Sequence, residues 1–162
     1  MKRFYFRHVP AAGPLSSFMA CVGASLMIAA VLYIGDVVKA PMIVASFGAT
    51  AVLLFATPAS PVSQPINVVA GHFIAAGIGL VLAKCLVDNH VLAGLSVGLS
   101  IAAMMLLRIT NPPAGATGLV AYMTHPGWMF LLFPVLFGCI ALIIFATVFH
   151  RLRGVEYPLA PK

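Results

Sequence analysis

The residues of this chain whose types and spacing can do chemistry are few, and one group occurs twice. Gly48-Ala49-Thr50 and Gly115-Ala116-Thr117 are the same triplet, 67 residues apart. Each follows a stretch that resists helix, and each opens an apolar run. A helix beginning at such a triplet presents unpaired N–H groups and about half a positive charge at its first turn. Gly48 and Gly115 let a ligand approach the backbone closely, and Thr50 and Thr117 add hydroxyl donors to the N–H groups that Ala49 and Ala116 share in supplying. That combination suits a small anion. The structural alternative is that each triplet packs helices, with Thr bonded back to its own carbonyls.

Gln64, Asn67, His72, Arg108 and Asn111 are the other polar residues placed to shape such a site. Gln64 lies in Pro58-Ala59-Ser60-Pro61-Val62-Ser63-Gln64-Pro65, an uncharged, turn-rich link expected to dip into the inner mouth. Asn67 and His72 follow on the next helix, about one and a half turns apart. An imidazole inside a membrane helix can donate to an anion or carry a proton near neutral pH. It can equally be a neutral core group bonded to a carbonyl. Arg108 is the only Arg between residues 8 and 150. It reads either as a snorkelling anchor or as the cation that draws an anion into a pore. Asn111-Pro112-Pro113 precedes the second triplet. The prolines bar helix before them and suit a first helical turn, while Asn111 can cap that helix or bind a solute.

Catalytic chemistry has little to stand on. The three acids, Asp36, Asp88 and Glu156, sit at segment ends. No paired carboxylates, nucleophile triad, metal cluster or GxxxxGK loop can be assembled, so neither an enzyme nor a cofactor is expected. Cys21, Cys85 and Cys139 lie in apolar stretches and read as packing residues rather than disulfides or ligands.

The elements that position these groups follow from composition. The chain has 162 residues, 62% hydrophobic and 7% charged, against about 25% charged in a soluble domain. Twelve charged side chains cannot make a water-soluble surface. The net charge of +6 suggests no nucleic acid, because the basic residues cluster at the ends of long uncharged stretches. One transmembrane domain over residues 1–162 is expected. Crossing hydrocarbon takes about 20 helical residues, which residues 15–35, 66–87, 90–107 and 127–150 supply. Residues 42–57 and 108–123 are apolar but short. If 42–47 and 108–113 are extended and the remainder helical, each spans roughly 35 Å. Extended backbone at that depth must be enclosed by protein.

The 67-residue offset also lays 66–87 over 133–154. Two halves, about 14–88 and 89–153, of three segments each would form an inverted repeat, since an odd number of crossings reverses the second half. The fold expected is thus an all-α membrane protein of six segments, the second and fifth part extended and part half-helix. With an inside amino terminus, Lys2, Arg3, Arg7, Arg108, Arg151, Arg153 and Lys162 lie inside, and Lys39 and Lys84 outside beside Asp36 and Asp88. That satisfies the positive-inside rule and places both termini in the cytoplasm of an inner-membrane protein. His8, His90, His125 and His150 fall at predicted membrane edges, with Tyr5, Tyr122, Trp128 and Tyr157 as interface aromatics. Gly94 with Gly98, and Gly71 with Ala75 and Gly79, offer faces for packing within one chain or a homo-oligomer.

Several strings together resemble the HPP family of integral membrane proteins. Ser60-Pro61-Val62-Ser63-Gln64-Pro65, Asn67 and Gly71-His72 are similar to its SPxxQPxN…GH stretch. Asn111-Pro112-Pro113-Ala114-Gly115-Ala116-Thr117 is similar to its HPPAGAT motif, with Asn where the family usually has His. Gly127-Trp128 and Phe133-Pro134-Val135-Leu136-Phe137-Gly138 resemble its last helix, so the likeness runs from about 40 to 153. A role needing a titrating imidazole at position 111 does not carry over, although Asn still donates and accepts. The CBS-domain extension of some members is not expected in the short run after Arg153. The resemblance implies a transporter-like protein, and plant plastid members are linked to nitrite transport. The expected function is passive or proton-coupled movement of a small inorganic anion, nitrite first. The alternatives are a non-transporting membrane scaffold or sensor, and an anion or small-solute channel.

Overall fold

The computed structural model describes residues 5–7, 9–42, 44–85 and 89–160. Lys2, Arg3, His8, Asp88 and Lys162 lie outside the described residues. Among the described residues there is no strand, and six helices follow one another: α1 Pro14–Val38, α2 Ser46–Ala56, α3 Pro65–Cys85, α4 His90–Leu106, α5 Pro112–Thr124 and α6 Phe137–Leu152. Three stretches among the described residues are long and apolar enough to cross a membrane: Pro14–Val38, Pro65–Lys84 and Trp128–Leu152. The segment expected at 90–107 yields a helix of 17 residues, roughly 26 Å long.

Local sequence sets most boundaries. Pro14 takes the first turn of α1, and Lys39, in the left-handed region at φ 55°, ends it. Asn89 accepts from Leu92 N–H and starts α4. Arg108, at φ 58°, turns the chain out of α4, and Asn111 is extended at φ −135°, ψ 106° before Pro112 opens α5. Both half-helices begin two residues earlier than the sequence suggested. Pro112 already has helical φ, and Phe47 N–H and Gly48 N–H bond back to the Val44 and Ala45 carbonyls, winding the chain before the triplet. The last span is not one smooth helix. Phe133 is extended at φ −122°, ψ 119°, because the following Pro134 disfavours helical backbone before it. The chain thus passes through a short turn at Trp128–Leu131 before α6.

Burial follows helical faces. On α1 only Gly23, Met27 and Val31 are buried, one residue every fourth, leaving a broad apolar face outward. Ser96, Ser100 and Met104 form the same narrow stripe on α4. The centre belongs to α2, α3, α5 and α6. The principal helix contacts pair α3 with α4, α5 and α6, α5 with α2 and α4, and α1 and α2 each with α6 and with one another. This set is unchanged when α1, α2 and α3 are exchanged with α4, α5 and α6. Small residues make the closest approaches. A Cβ on Gly79 would overlap the Gly118 carbonyl, and one on Gly118 would come within 3.0 Å of the Ala75 carbonyl. The Gly71-Ala75-Gly79 face is therefore used inside one chain, against α5. Gly94 and Gly98 have open space where a Cβ would point.

Two of these approaches form a pair. A Cβ on Gly71 would stand 3.3 Å from the Ile109 carbonyl oxygen, and one on Gly138 would overlap the Met42 carbonyl oxygen. Gly71 and Gly138 are 67 residues apart, as are Met42 and Ile109. Pro65–Cys85 shifted by the same 67 residues falls on 132–152.

Candidate functional site

The first turns of α2 and α5 spend most of their backbone donors inside the protein. Pro112 and Pro113 have no N–H, and Ala114 N–H bonds to the Asn111 carbonyl at 3.0 Å. Phe47 and Gly48 N–H are engaged as described above. Gly48, Ala49 and Ala116 face the exterior, whereas Thr50, Gly115 and Thr117 are buried. The helical period explains the split: Thr50 shares a face with Ser46, Phe47 and Leu54, and Gly48 lies opposite.

The buried hydroxyls converge on one imidazole. Thr50 Oγ1 lies 2.9 Å from His72 Nε2, and Thr117 Oγ1 lies 2.6 Å from His72 Nδ1. Ser46 Oγ lies 2.6 Å from Thr117 Oγ1, and Thr50 Oγ1 donates to the Ser46 carbonyl at 3.3 Å. All four side chains are buried, with Thr50, His72 and Thr117 at 0% exposure. Phe47 packs edge-on to the imidazole, with ring centres 5.3 Å apart. One arrangement of protons uses every bond of the ring. In it Thr50 gives its proton to the Ser46 carbonyl, so Nε2–H donates to Thr50 Oγ1. Nδ1 then accepts from Thr117, and Thr117 accepts from Ser46. Every hydroxyl proton and both imidazole nitrogens are satisfied in that one arrangement.

The remaining candidates form other groups. Asn67 Nδ2 donates to the Thr110 carbonyl and Asn111 Nδ2 to the Val62 carbonyl, each at 3.0 Å. Together they staple the turn before α5 to α3 and its preceding loop. Asn111 is fully buried, caps nothing with its side chain, and leaves Oδ1 without a partner. Gln64 holds its own loop, donating to the Pro58 and Ser60 carbonyls and accepting from Leu159 N–H. Arg108 is exposed at its turn. The structure thus brings Thr50, His72 and Thr117 together, places Asn67 and Asn111 in a neighbouring brace, and sets Gln64, Arg108, Gly48, Ala49 and Ala116 apart.

Ser46 was missed from the sequence. Its position was assigned to extended chain, which carries no helical face, and the residue 67 further on is Pro113, so the repeat gives no hint. Three expected edge residues also lie inside. Tyr122 is buried, its hydroxyl donating to the Asn89 carbonyl at 3.2 Å. His150 is buried, its Nε2 2.8 Å from the Leu54 carbonyl. Tyr157 donates to the Ser63 carbonyl at 2.9 Å, and burial pushes the pKa of its hydroxyl up. Open clefts lie away from the central ring: one of about 280 Å³ beside Asn89, His90, Tyr122 and His125, and one of about 500 Å³ beside Lys39, Phe130 and Pro134.

Against known proteins, the sequence pattern of one family, HPP, transmembrane region, matches residues 9–158. A transmembrane protein of Dictyostelium discoideum is 33% identical over 145 residues, covering 83% of this chain and 51% of that relative. A second transmembrane protein of the same organism is 33% identical over 123 residues, covering 70% of this chain and 40% of the relative. The chain spans about half the length or less of these relatives. No solved structure matches.

Proposed function

The chain belongs to the HPP transmembrane family, and from that premise we propose that it carries a small inorganic anion, nitrite first, across the membrane. Ser46, Thr50, His72 and Thr117 form the binding site. The observation that carries this is the convergence of hydroxyls from two half-helices on one buried imidazole. A polar ring in the core of so apolar a chain is costly unless satisfied. An anion entering between α2 and α5 would exchange the internal acceptors for its own oxygens, keeping each O–H and the Nε2–H donating. The N–H groups of the two triplets play a smaller part in this scheme than the hydroxyls.

The scheme includes six membrane segments in two inverted halves, with both termini in the cytoplasm of the inner membrane. It is supported by the exchange-invariant helix contacts and by the paired Gly71–Ile109 and Gly138–Met42 approaches. Alternation between two mirrored closures would expose the ring first to one side and then to the other. The open Gly94 and Gly98 face of α4 is available to a second copy.

One observation favours a scaffold instead: the ring is closed and satisfied by direct bonds, with no side chain of it exposed. Uptake decides between the two. Purified protein in liposomes should show saturable nitrite entry above protein-free liposomes, sampled quickly because nitrous acid crosses bilayers unaided. Thr50→Val with Thr117→Val should cut that entry at least about tenfold, the effect of losing about 1.4 kcal/mol of binding, while the protein still folds. Entry no faster than in protein-free liposomes would leave the scaffold reading.

A further inference from the structure

We infer that the central ring binds its anion together with one proton, taken by His72 Nδ1, so that the transported unit is electrically neutral. This rests on the anion-transport reading above. It begins from the direction of the ring. In the proton arrangement that uses every bond of the ring, Nδ1 is the acceptor and Thr117 O–H, 2.6 Å away, is its donor. Thr117 and Ser46 are also the hydroxyls bonded to each other between α2 and α5. An anion inserted there takes the Thr117 and Ser46 protons as its own hydrogen bonds. The same act strips Nδ1 of its donor and leaves a basic nitrogen unsatisfied in a buried place.

Two penalties then arise side by side and cancel each other. A lone anion in low dielectric is expensive, and so is an unpaired buried acceptor. A proton on Nδ1 removes both, because imidazolium donates to the anion and neutralises it. No other charge can do so. Among the described residues every Asp, Glu, Lys and Arg is exposed. The groups facing His72 are Ser46, Phe47 and Thr50 of α2 and Thr117 of α5, none of them charged. Cys139, at the repeat position of His72 on α6, is a buried thiol and offers no cation. The other buried imidazole among the described residues, His150, bonds to the Leu54 carbonyl of α2, about one turn beyond Thr50.

Without the anion the ring has no place for the proton, since Nδ1 is satisfied by Thr117. Without the proton the anion is uncompensated. Each therefore raises the affinity for the other, and the coupling is reciprocal.

The test uses the full chain in liposomes with a trapped pH dye and a potassium–valinomycin clamp on the membrane potential. Nitrite and nitrate are the probes, nitrate because its conjugate acid is too strong to cross as a neutral molecule. An inside-alkaline gradient should drive protein-dependent anion accumulation about tenfold per pH unit. It should acidify the lumen one proton per anion, and the clamped potential should leave it unchanged. His72→Gln keeps a donor and an acceptor but cannot take the proton, so its residual uptake should ignore the pH gradient and follow the potential. Saturable wild-type uptake that follows the potential and ignores the pH gradient overturns the proton assignment while leaving anion transport standing. Gradient-driven uptake that survives in His72→Gln overturns His72 as the carrier. Neither probe entering above protein-free liposomes overturns both readings. Should His72→Gln not fold, the proton count per anion in the wild type still decides.

Discussion

At the residue scale, the polar side chains packed inside the described residues are held by identifiable partners. His72 has two hydroxyls, Asn67 and Asn111 have carbonyls of the loops they brace, and Tyr157 has the Ser63 carbonyl. Tyr157 gives the clearest pH test. Its folded pKa is raised by burial above the ordinary tyrosine value of about 10. A raised pKa means the folded form holds the proton more tightly. Its contribution is complete below about pH 10 and is lost as pH climbs toward the folded value. Thermal unfolding in detergent should therefore be insensitive to this group at neutral pH and decline above about pH 10. Tyr157→Phe should cost about 1 kcal/mol at neutral pH and make the alkaline decline shallower. An unchanged alkaline slope in Tyr157→Phe would assign that decline to another group.

At the element scale, the bundle is set by where backbones touch. Gly71, Gly79 and Gly138 each face a carbonyl of the opposing segment, whereas Gly48 and Gly98 face open space. Adding a methyl at the first three should cost about 1–3 kcal/mol by overpacking, read as a lowered midpoint in thermal unfolding. Gly48→Ala and Gly98→Ala should leave the midpoint unchanged or raise it, since helical Gly is worse than Ala by about 0.5–1 kcal/mol. Gly48→Ala carries a second readout. If it abolishes anion uptake while leaving the midpoint unchanged, the backbone at Gly48 does approach the substrate, and the hydroxyl-only site is wrong.

At the scale of the whole molecule, the proposed inverted halves fix which ends share a side. In a Cys-free background, Ala12→Cys and Glu156→Cys should both react with a membrane-impermeant maleimide from one face, and Asp36→Cys from the other. Labelling of positions 12 and 156 from opposite faces would remove the six-segment scheme, and with it the mirrored closures invoked for alternating access. In the proposed scheme the positive-inside count assigns the shared face to the cytoplasm. Arg7, Arg108, Arg151 and Arg153, all exposed, are the described residues that vote for it.

What the sequence determined by itself is what composition and local chemistry dictate. An apolar chain with so few charges must live in a membrane. Prolines at 14, 65 and 112 stand at the first positions of three helices, where their fixed φ and missing N–H fit, although the expected segments opened one or two residues later. The repeated Gly-Ala-Thr and the lone membrane histidine pointed to Thr50, Thr117 and His72. Tertiary structure alone decided which of the triplet residues look inward, because that depends on helix phase, and phase moved when α2 began at Ser46 rather than at Gly48. It also decided that Ser46 joins the ring, that Gln64 serves its loop, and that His150 and Tyr157 are buried. Apart from the bonds of Gln64 to Pro58 and Ser60, each of those outcomes needs a partner 70 or more residues away in sequence. Contacts of that range are made by packing and leave no local pattern in the chain.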